Sequence, residues 1–232
     1  MEINKTLRLP ASQYYQDVVQ KKSIYLHHTV GGSALSTFNW WKQTTARIGT
    51  AYIIARDGTI FEVFEPYYWA HHLGTRNNQN RYFNQSSVGI ELASEGALRS
   101  GQELNNILGE DKFDWNYLYA FDIDQPPFPR AKKLYHLWYD QDKYIDIPVR
   151  FRGYGFFDLY EEPQIVSAIE LVNHLCDKFQ IPKQLLPHDK RFEYDENYLN
   201  HNGVLTHCNV RVDKSDLSPA WAWHRLESSF NG

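Results

Sequence analysis

The segment from Thr50 to Phe64 commits the chain to β structure more firmly than any other. Thr50 to Ile54 is a β-branched and aromatic run, Arg56-Asp57-Gly58-Thr59 supplies an Asp-Gly turn, and Ile60-Phe61-Glu62-Val63-Phe64 returns. Two such runs around an Asp-Gly pair specify an antiparallel hairpin. Two further strands are legible nearby: Ser23-Ile24-Tyr25-Leu26-His27-His28, ended by Val30-Gly31-Gly32, and Ser87-Val88-Gly89-Ile90-Glu91-Leu92.

Helices interleave with these strands. Ser36 reads as the N-cap of a helix carrying Phe38, Trp40 and Trp41. Beyond Pro163, the residues Ile165, Val166, Ile169, Leu171, Val172 and Leu175 keep helical spacing up to Phe179, and Ile181-Pro182 stops the run. A polar loop leads to a short strand, Val204 to His207, and Pro219-Ala220-Trp221-Ala222-Trp223 reads as the first turn of a last helix. The polar N-terminal stretch to Lys22, with Tyr14, Tyr15 and Val18-Val19 as its apolar cluster, is expected to form a short helix against the core. The fold class is therefore α/β (mixed α+β), a central mixed sheet flanked by helices.

A length of 232 residues suits a single domain of this kind with one sizeable insertion. From Gly96 to about Gly155 periodicity dissolves into a segment rich in Trp, Tyr and Phe, containing Trp115, Tyr117, Tyr119, Phe121, Tyr135, Trp138, Tyr139 and Tyr144. A structureless stretch of that length reads as an inserted, aromatic-rich covering element at about 97–155.

Composition excludes several functions. An apolar share of 42% rules out disorder. The net charge is −4 and no basic run exceeds two residues, which argues against a nucleic-acid partner. No stretch reaches the ~18 apolar residues of a membrane span, so no membrane insertion is expected. No basic start leads into an apolar core, so a standard secretory signal is not visible. The expected life of the chain is synthesis in the cytoplasm, followed by cytoplasmic action or by delivery through release or another secretion route. The two cysteines, Cys176 and Cys208, are too few for a disulfide framework, so any metal must be held mainly by His and carboxylate.

Three clusters hold candidate ligands. His27-His28 ends a strand, where alternation lets at most one of the pair enter a given site. His207 lies at another strand end with Cys208 beside it facing away, and Asp213 to Asp216 follow in a loop. Two histidines and one carboxylate, with a fourth position left for water, is the pattern of a catalytic zinc site.

The order of short segments narrows this further. Ile24-Tyr25-Leu26-His27-His28-Thr29, Arg56-Asp57-Gly58-Thr59-Ile60, Ala70-His71-His72-Leu73-Gly74, Ser87-Val88-Gly89-Ile90-Glu91-Leu92, Thr206-His207 and the run from Asp213 to Trp223 occur in one sequence. Together they resemble the zinc-dependent N-acetylmuramoyl-L-alanine amidases, a superfamily that includes phage lysozyme-type amidases and peptidoglycan recognition proteins. The match spans residues 23–92 and 160–226. It implies an amidase or recognition-protein-like fold, a Zn2+ cofactor, and cleavage of the amide between N-acetylmuramic acid and L-alanine.

By that resemblance His27, His207 and Asp216 are the zinc ligands, and Asp213 is a solvated loop carboxylate. Glu91 is the general base, Lys214 stabilises the oxyanion, and His72 contacts substrate while His71 packs or points to water. Phage lysozyme-type members use a tyrosine where Thr50 stands here, which favours Glu91 as the base. The chain departs from the family at Ala70-His71-His72-Leu73-Gly74, where Trp-His-Ala-Gly is usual, and at Asp216-Leu217-Ser218-Pro219, where Asp-Pro-Gly is common. The expected partner is peptidoglycan or a muropeptide, met by a monomer. The alternatives are a non-catalytic peptidoglycan-binding receptor on the same fold and a recycling amidase acting on soluble muropeptides. The enzyme reading itself covers a phage endolysin and a secreted antibacterial effector alike.

Overall fold

The computed structural model describes residues 1–31, 33–98, 151–152, 154 and 156–231. Most of the aromatic segment singled out above, including all eight of its named Trp, Tyr and Phe residues, lies outside the described residues.

The elements run β1 (Ile3–Asn4), β2 (Ser23–His28), α1 (Ala34–Gln43), β3 (Tyr52–Ile54), β4 (Ile60–Glu62), α2 (Asn80–Gln85), β5 (Ser87–Leu92), β6 (Ala97–Leu98), β7 (Phe156–Phe157), α3 (Glu162–Phe179), β8 (Gly203–Thr206), α4 (His207–Val210) and α5 (Trp223–Phe230). Six strands form one sheet in the order β1-β4-β3-β5-β2-β8, in which only the β3–β4 pair is antiparallel. That pair is the hairpin expected from Asp57-Gly58. The mixed α/β class is thus the observed one. β6 and β7 pair antiparallel and bring together the two ends of the 97–155 segment.

Parallel strands need cover on both faces, and β2 buries all six of its residues. Its alternation sorts them into two layers. Ile24 and Leu26 join Val88, Ile90 and Leu92 of β5 in the main core, together with Ile165, Ala168, Leu171, Val172 and Leu175 of α3. Tyr25 joins a smaller cluster with Leu73, Phe83 of α2, Leu205 and Val210. Gln164 fastens α3 to the sheet by donating to the carbonyls of Ile54 and Ala93 at 3.0 and 3.1 Å.

Four boundaries differ from the sequence reading, two because tertiary contacts outweigh local propensity and two because local capping residues set the helix start. The N-terminal stretch is not a helix. Instead β1 adds to the edge of β4, a single 3-10 turn covers Ala11–Gln13, and Tyr15 pairs with Trp69 through backbone bonds and ring stacking. Helix α1 begins three residues early, because Ser33 rather than Ser36 caps it; the Ser33 hydroxyl accepts from the Ser36 N–H at 3.1 Å. His207 opens helix α4 rather than ending a strand, with Thr206 and Asn209 forming a capping box. The last helix begins at Trp223, and Pro219 stays outside it because Leu217 and Trp221 are fully buried in the core.

Glu62 fixes the N-terminal segment to the hairpin. Its buried carboxylate accepts from Arg8 at 2.7 Å, Lys5 at 3.0 Å and the Tyr52 hydroxyl at 3.1 Å. Burial alone raises its pKa, but the bonds from Lys5 and Arg8 outweigh that and hold it below the ordinary 4.5. A group depressed in the folded state stabilises above its unfolded pKa and loses that contribution as pH falls through its folded value. Glu62→Gln is therefore expected to lower stability by about 1–3 kcal/mol at pH 7. The gap to wild type closes as the pH of urea unfolding is brought below 4.5. A gap that persists unchanged at acid pH would assign the effect to packing.

Candidate metal centre

β2 and β8 are neighbours, and the sheet places the end of one beside the start of α4 that follows the other. His27 stands on the face of β2 shared with Tyr25, and His207 is the first residue of α4. Asp216 is tied to α4 by its own carbonyl, which accepts from the Cys208 N–H at 2.7 Å. All three side chains are buried. His27 Nδ1 lies 3.1 Å from His207 Nδ1 and 3.2 Å from Asp216 Oδ2, and His207 Nδ1 lies 3.1 Å from Asp216 Oδ2. Among the described residues these three form the one His/Cys/Asp/Glu group close enough to share a metal ion.

The triangle fits a metal better than it fits hydrogen bonds alone. Donors at ~2.0–2.1 Å from a tetrahedral zinc stand about 3.3 Å apart along each edge, close to the observed spacing. His207 Nε2 lies 2.7 Å from the Leu73 carbonyl oxygen, which only accepts, so Nε2 carries the proton and Nδ1 presents a lone pair. Burial first, with His207 adding to it and Asp216 opposing, brings the His27 pKa down to about 4, so this ring is neutral at pH 7. Burial pushes the Asp216 carboxyl up, but His207 and His27 outweigh it and hold the group ionised. The His207 Nδ1 lone pair, the His27 Nδ1 and an ionised Asp216 oxygen thus face one point, a donor set that fits a divalent cation.

His28 takes the opposite face, as alternation requires, with its Nδ1 3.1 Å from the Tyr160 hydroxyl. Asp213 is exposed and paired with Arg211 at 2.5 and 2.9 Å, whereas Asp216 is inside.

The triangle opens into a cleft of about 570 Å³ whose lining includes Glu91, Lys214, His72, Thr50 and Trp40. Glu91 is register partner to His27 across the β2–β5 pair, so the two share a face of the sheet. Burial first and the nearby Asp216 charge second raise the Glu91 pKa well above the ordinary glutamate value, with Lys214 opposing. Thr50 turns its hydroxyl to the Tyr52 carbonyl at 2.8 Å. Trp40 is 56% exposed while Trp41 is buried in the core, and both indoles of α1 border the cleft. His72 lines the cleft with both ring nitrogens engaged inside the protein, Nδ1 at 3.0 Å from His27 Nε2 and Nε2 at 2.9 Å from Ser87 Oγ. His71 sits 3.5 Å from the Tyr15 hydroxyl, outside that chain of contacts.

Three contributors escaped sequence reasoning. Asn84 of α2, fully buried, accepts from the backbone N–H groups of His72 at 2.7 Å and Leu73 at 3.0 Å. Leu73 supplies a carbonyl, which has no residue-type signature. Gly89 carries a signal only in hindsight: a Cβ there would stand 2.6 Å from Thr50 Cγ2 and 3.2 Å from His72 Nδ1, so β5 needs glycine where His72 crosses it.

Comparison with known proteins identifies the family and the fold. A search of curated proteins finds no match. Among solved structures, the N-acetylmuramyl-L-alanine amidase AmiD from E. coli, in complex with the substrate anhydro-N-acetylmuramic acid-L-Ala-D-gamma-Glu-L-Lys, is 15% identical with a TM-score of 0.53. That match covers 92% of this chain and 59% of AmiD. A mutant of PlyL is 13% identical with a TM-score of 0.53, covering 100% of this chain and 99% of its own. The catalytic domain of XlyA is 11% identical with a TM-score of 0.51, covering 99% of each. At such identities these are likenesses of fold. The family model described as N-acetylmuramoyl-L-alanine amidase (Amidase_2) matches residues 18–218. With that match over most of its length, the chain belongs to the type 2 N-acetylmuramoyl-L-alanine amidase family.

Proposed function

We propose that the protein is a zinc-dependent hydrolase that cleaves the amide bond between N-acetylmuramic acid and the L-alanine that begins the stem peptide of peptidoglycan. The observation that carries this reading is the buried His27–His207–Asp216 triangle at a cleft that also holds Glu91 and Lys214. A zinc ion there would supply Lewis acidity toward the scissile carbonyl and lower the pKa of a water toward ~7.

The remaining work falls to side chains of this chain. Glu91, whose pKa burial first and the Asp216 charge second raise above the ordinary glutamate value, accepts a proton from the attacking water and hands it to the departing amine, so the base is regenerated each cycle. Lys214 places an ammonium at the cleft, where it offsets the negative charge that builds on the attacked carbonyl oxygen. The cleft accepts a muropeptide whose lactyl–alanine bond reaches the triangle.

The test is to purify the protein, measure bound zinc, and incubate it with intact peptidoglycan and with soluble muropeptides while following products by mass spectrometry. One zinc per chain and release of free stem peptide is the expected result. Release from muropeptides alone would place the enzyme in recycling. Bound substrate that stays intact, with substoichiometric zinc, would make the protein a receptor on the same fold.

A further inference from the structure

We propose that His72 is a positioning residue that fixes which nitrogen of His27 faces the metal, through a chain of hydrogen bonds ending on helix α2. The inference deepens the zinc reading above and rests on it.

The direction of the chain follows from its far end. Ser87 Oγ lies 2.6 Å from the Phe83 carbonyl oxygen, which can only accept, so the single hydroxyl proton of Ser87 points there. The Ser87 oxygen is then left as an acceptor toward His72 Nε2 at 2.9 Å, which must carry the proton. With its proton on Nε2 toward Ser87, the neutral form of the His72 ring has a bare Nδ1. That bare Nδ1, 3.0 Å from His27 Nε2, accepts from it. The proton of His27 is thereby kept on Nε2, and its Nδ1 lone pair is turned to His207 and Asp216. The opposite polarity fails at each step: Ser87 would face the Phe83 carbonyl with two bare oxygens, and a neutral His27 would carry a proton where a ligand lone pair is needed.

Both metal histidines take their acceptors from one dipeptide. His72 serves His27 with its ring, and Leu73 serves His207 with its carbonyl at 2.7 Å. Asn84 clamps the two backbone N–H groups of that dipeptide, and Gly89 leaves the space His72 occupies over β5. Acceptors behind metal-bound imidazoles set their tautomer and basicity, and losing one typically costs 10–100-fold in metal affinity. Here the acceptor for His27 is an uncharged histidine, whose orientation is set in turn by Ser87.

Two measurements test this on the full-length protein. Long-range 1H–15N spectra of the imidazoles, recorded without and with zinc, are expected to show His72 and His27 both protonated at Nε2. A proton on His72 Nδ1 overturns the proposal. Zinc affinity is then compared by chelator competition in His72→Asn, whose Oδ1 keeps an acceptor near the place of Nδ1, and His72→Leu, which has none. His72→Leu should bind zinc about 10–100-fold more weakly than wild type, and His72→Asn should recover most of that loss. Equal affinities in the two variants, whether both tight or both weak, would overturn the relay and leave His72 with a packing role. A wild-type protein that binds no zinc would instead overturn the metal reading, while the zinc-free spectra still decide the hydrogen-bond chain.

Discussion

Replacing Asp216 with alanine is expected to abolish zinc binding and amide cleavage together, while Asp213→Ala leaves both near wild type. The two carboxylates sit three residues apart on one loop, yet their environments are opposed. Asp216 is buried, ionised and within 3.1–3.2 Å of both histidine donors. Asp213 is solvated and already engaged by Arg211. Losing an anionic ligand leaves two neutral imidazoles, which hold a divalent cation poorly. A metal ion contributes several kcal/mol to the transition state, and at ~1.4 kcal/mol per decade the loss in kcat/KM is on the order of 10³-fold or more. His207→Ala should behave in the same way. Thermal unfolding offers a substrate-free check, since a ligand at 100 times its Kd stabilises the native state by about 2.7 kcal/mol. That zinc-dependent increment should be present in wild type and in Asp213→Ala, and absent in Asp216→Ala. A damaging Asp213 change beside a harmless Asp216 change would refute the ligand assignment.

Glu91→Gln should separate binding from turnover. The residue lies outside the triangle, so zinc stoichiometry should stay at the wild-type level, whereas kcat should fall by about 10²–10⁴-fold, the usual worth of a positioned base. Its pH signature has a definite sign. Burial first, and then the Asp216 charge, raise the Glu91 pKa well above 4.5, and Lys214 opposes them. A base acts only when ionised, so kcat/KM should climb with pH along an acid limb that Glu91 sets. Lys214→Met removes the opposing charge, so it should move that limb to still higher pH while lowering kcat through the lost oxyanion contact. An acid limb that survives unchanged in Glu91→Gln would show that another group titrates there.

The legible part of this protein is the part governed by short-range periodicity. Alternation in Ser23–His28 and Ser87–Leu92 states which residues share a face, and the structure places His27 with Glu91 on one side and His28 with Tyr160 on the other. The Asp57-Gly58 turn and the apolar spacing from Ile165 to Leu175 led directly to the β3–β4 hairpin and α3. The approximate errors came where a long-range partner overrode a local preference: the N-terminal segment became an edge strand because β4 offered an open edge, and Pro219 lost its helix because Trp221 is drawn into the core.

Residue types narrowed the candidates to the His27-His28 pair, His207 and the Asp213–Asp216 loop, and the resemblance to the amidase family then pointed to His27, His207, Asp216, Glu91 and Lys214. They were silent on the support behind those groups. Leu73 contributes through a backbone carbonyl, Asn84 and Ser87 through hydrogen bonds to elements far from His27 and His207 in sequence, and Gly89 through the side chain it lacks. Which imidazole nitrogen holds a proton depends on the acceptor that folding brings to it, and that acceptor exists only once β2, β5, α2 and the His72–Leu73 dipeptide are packed together.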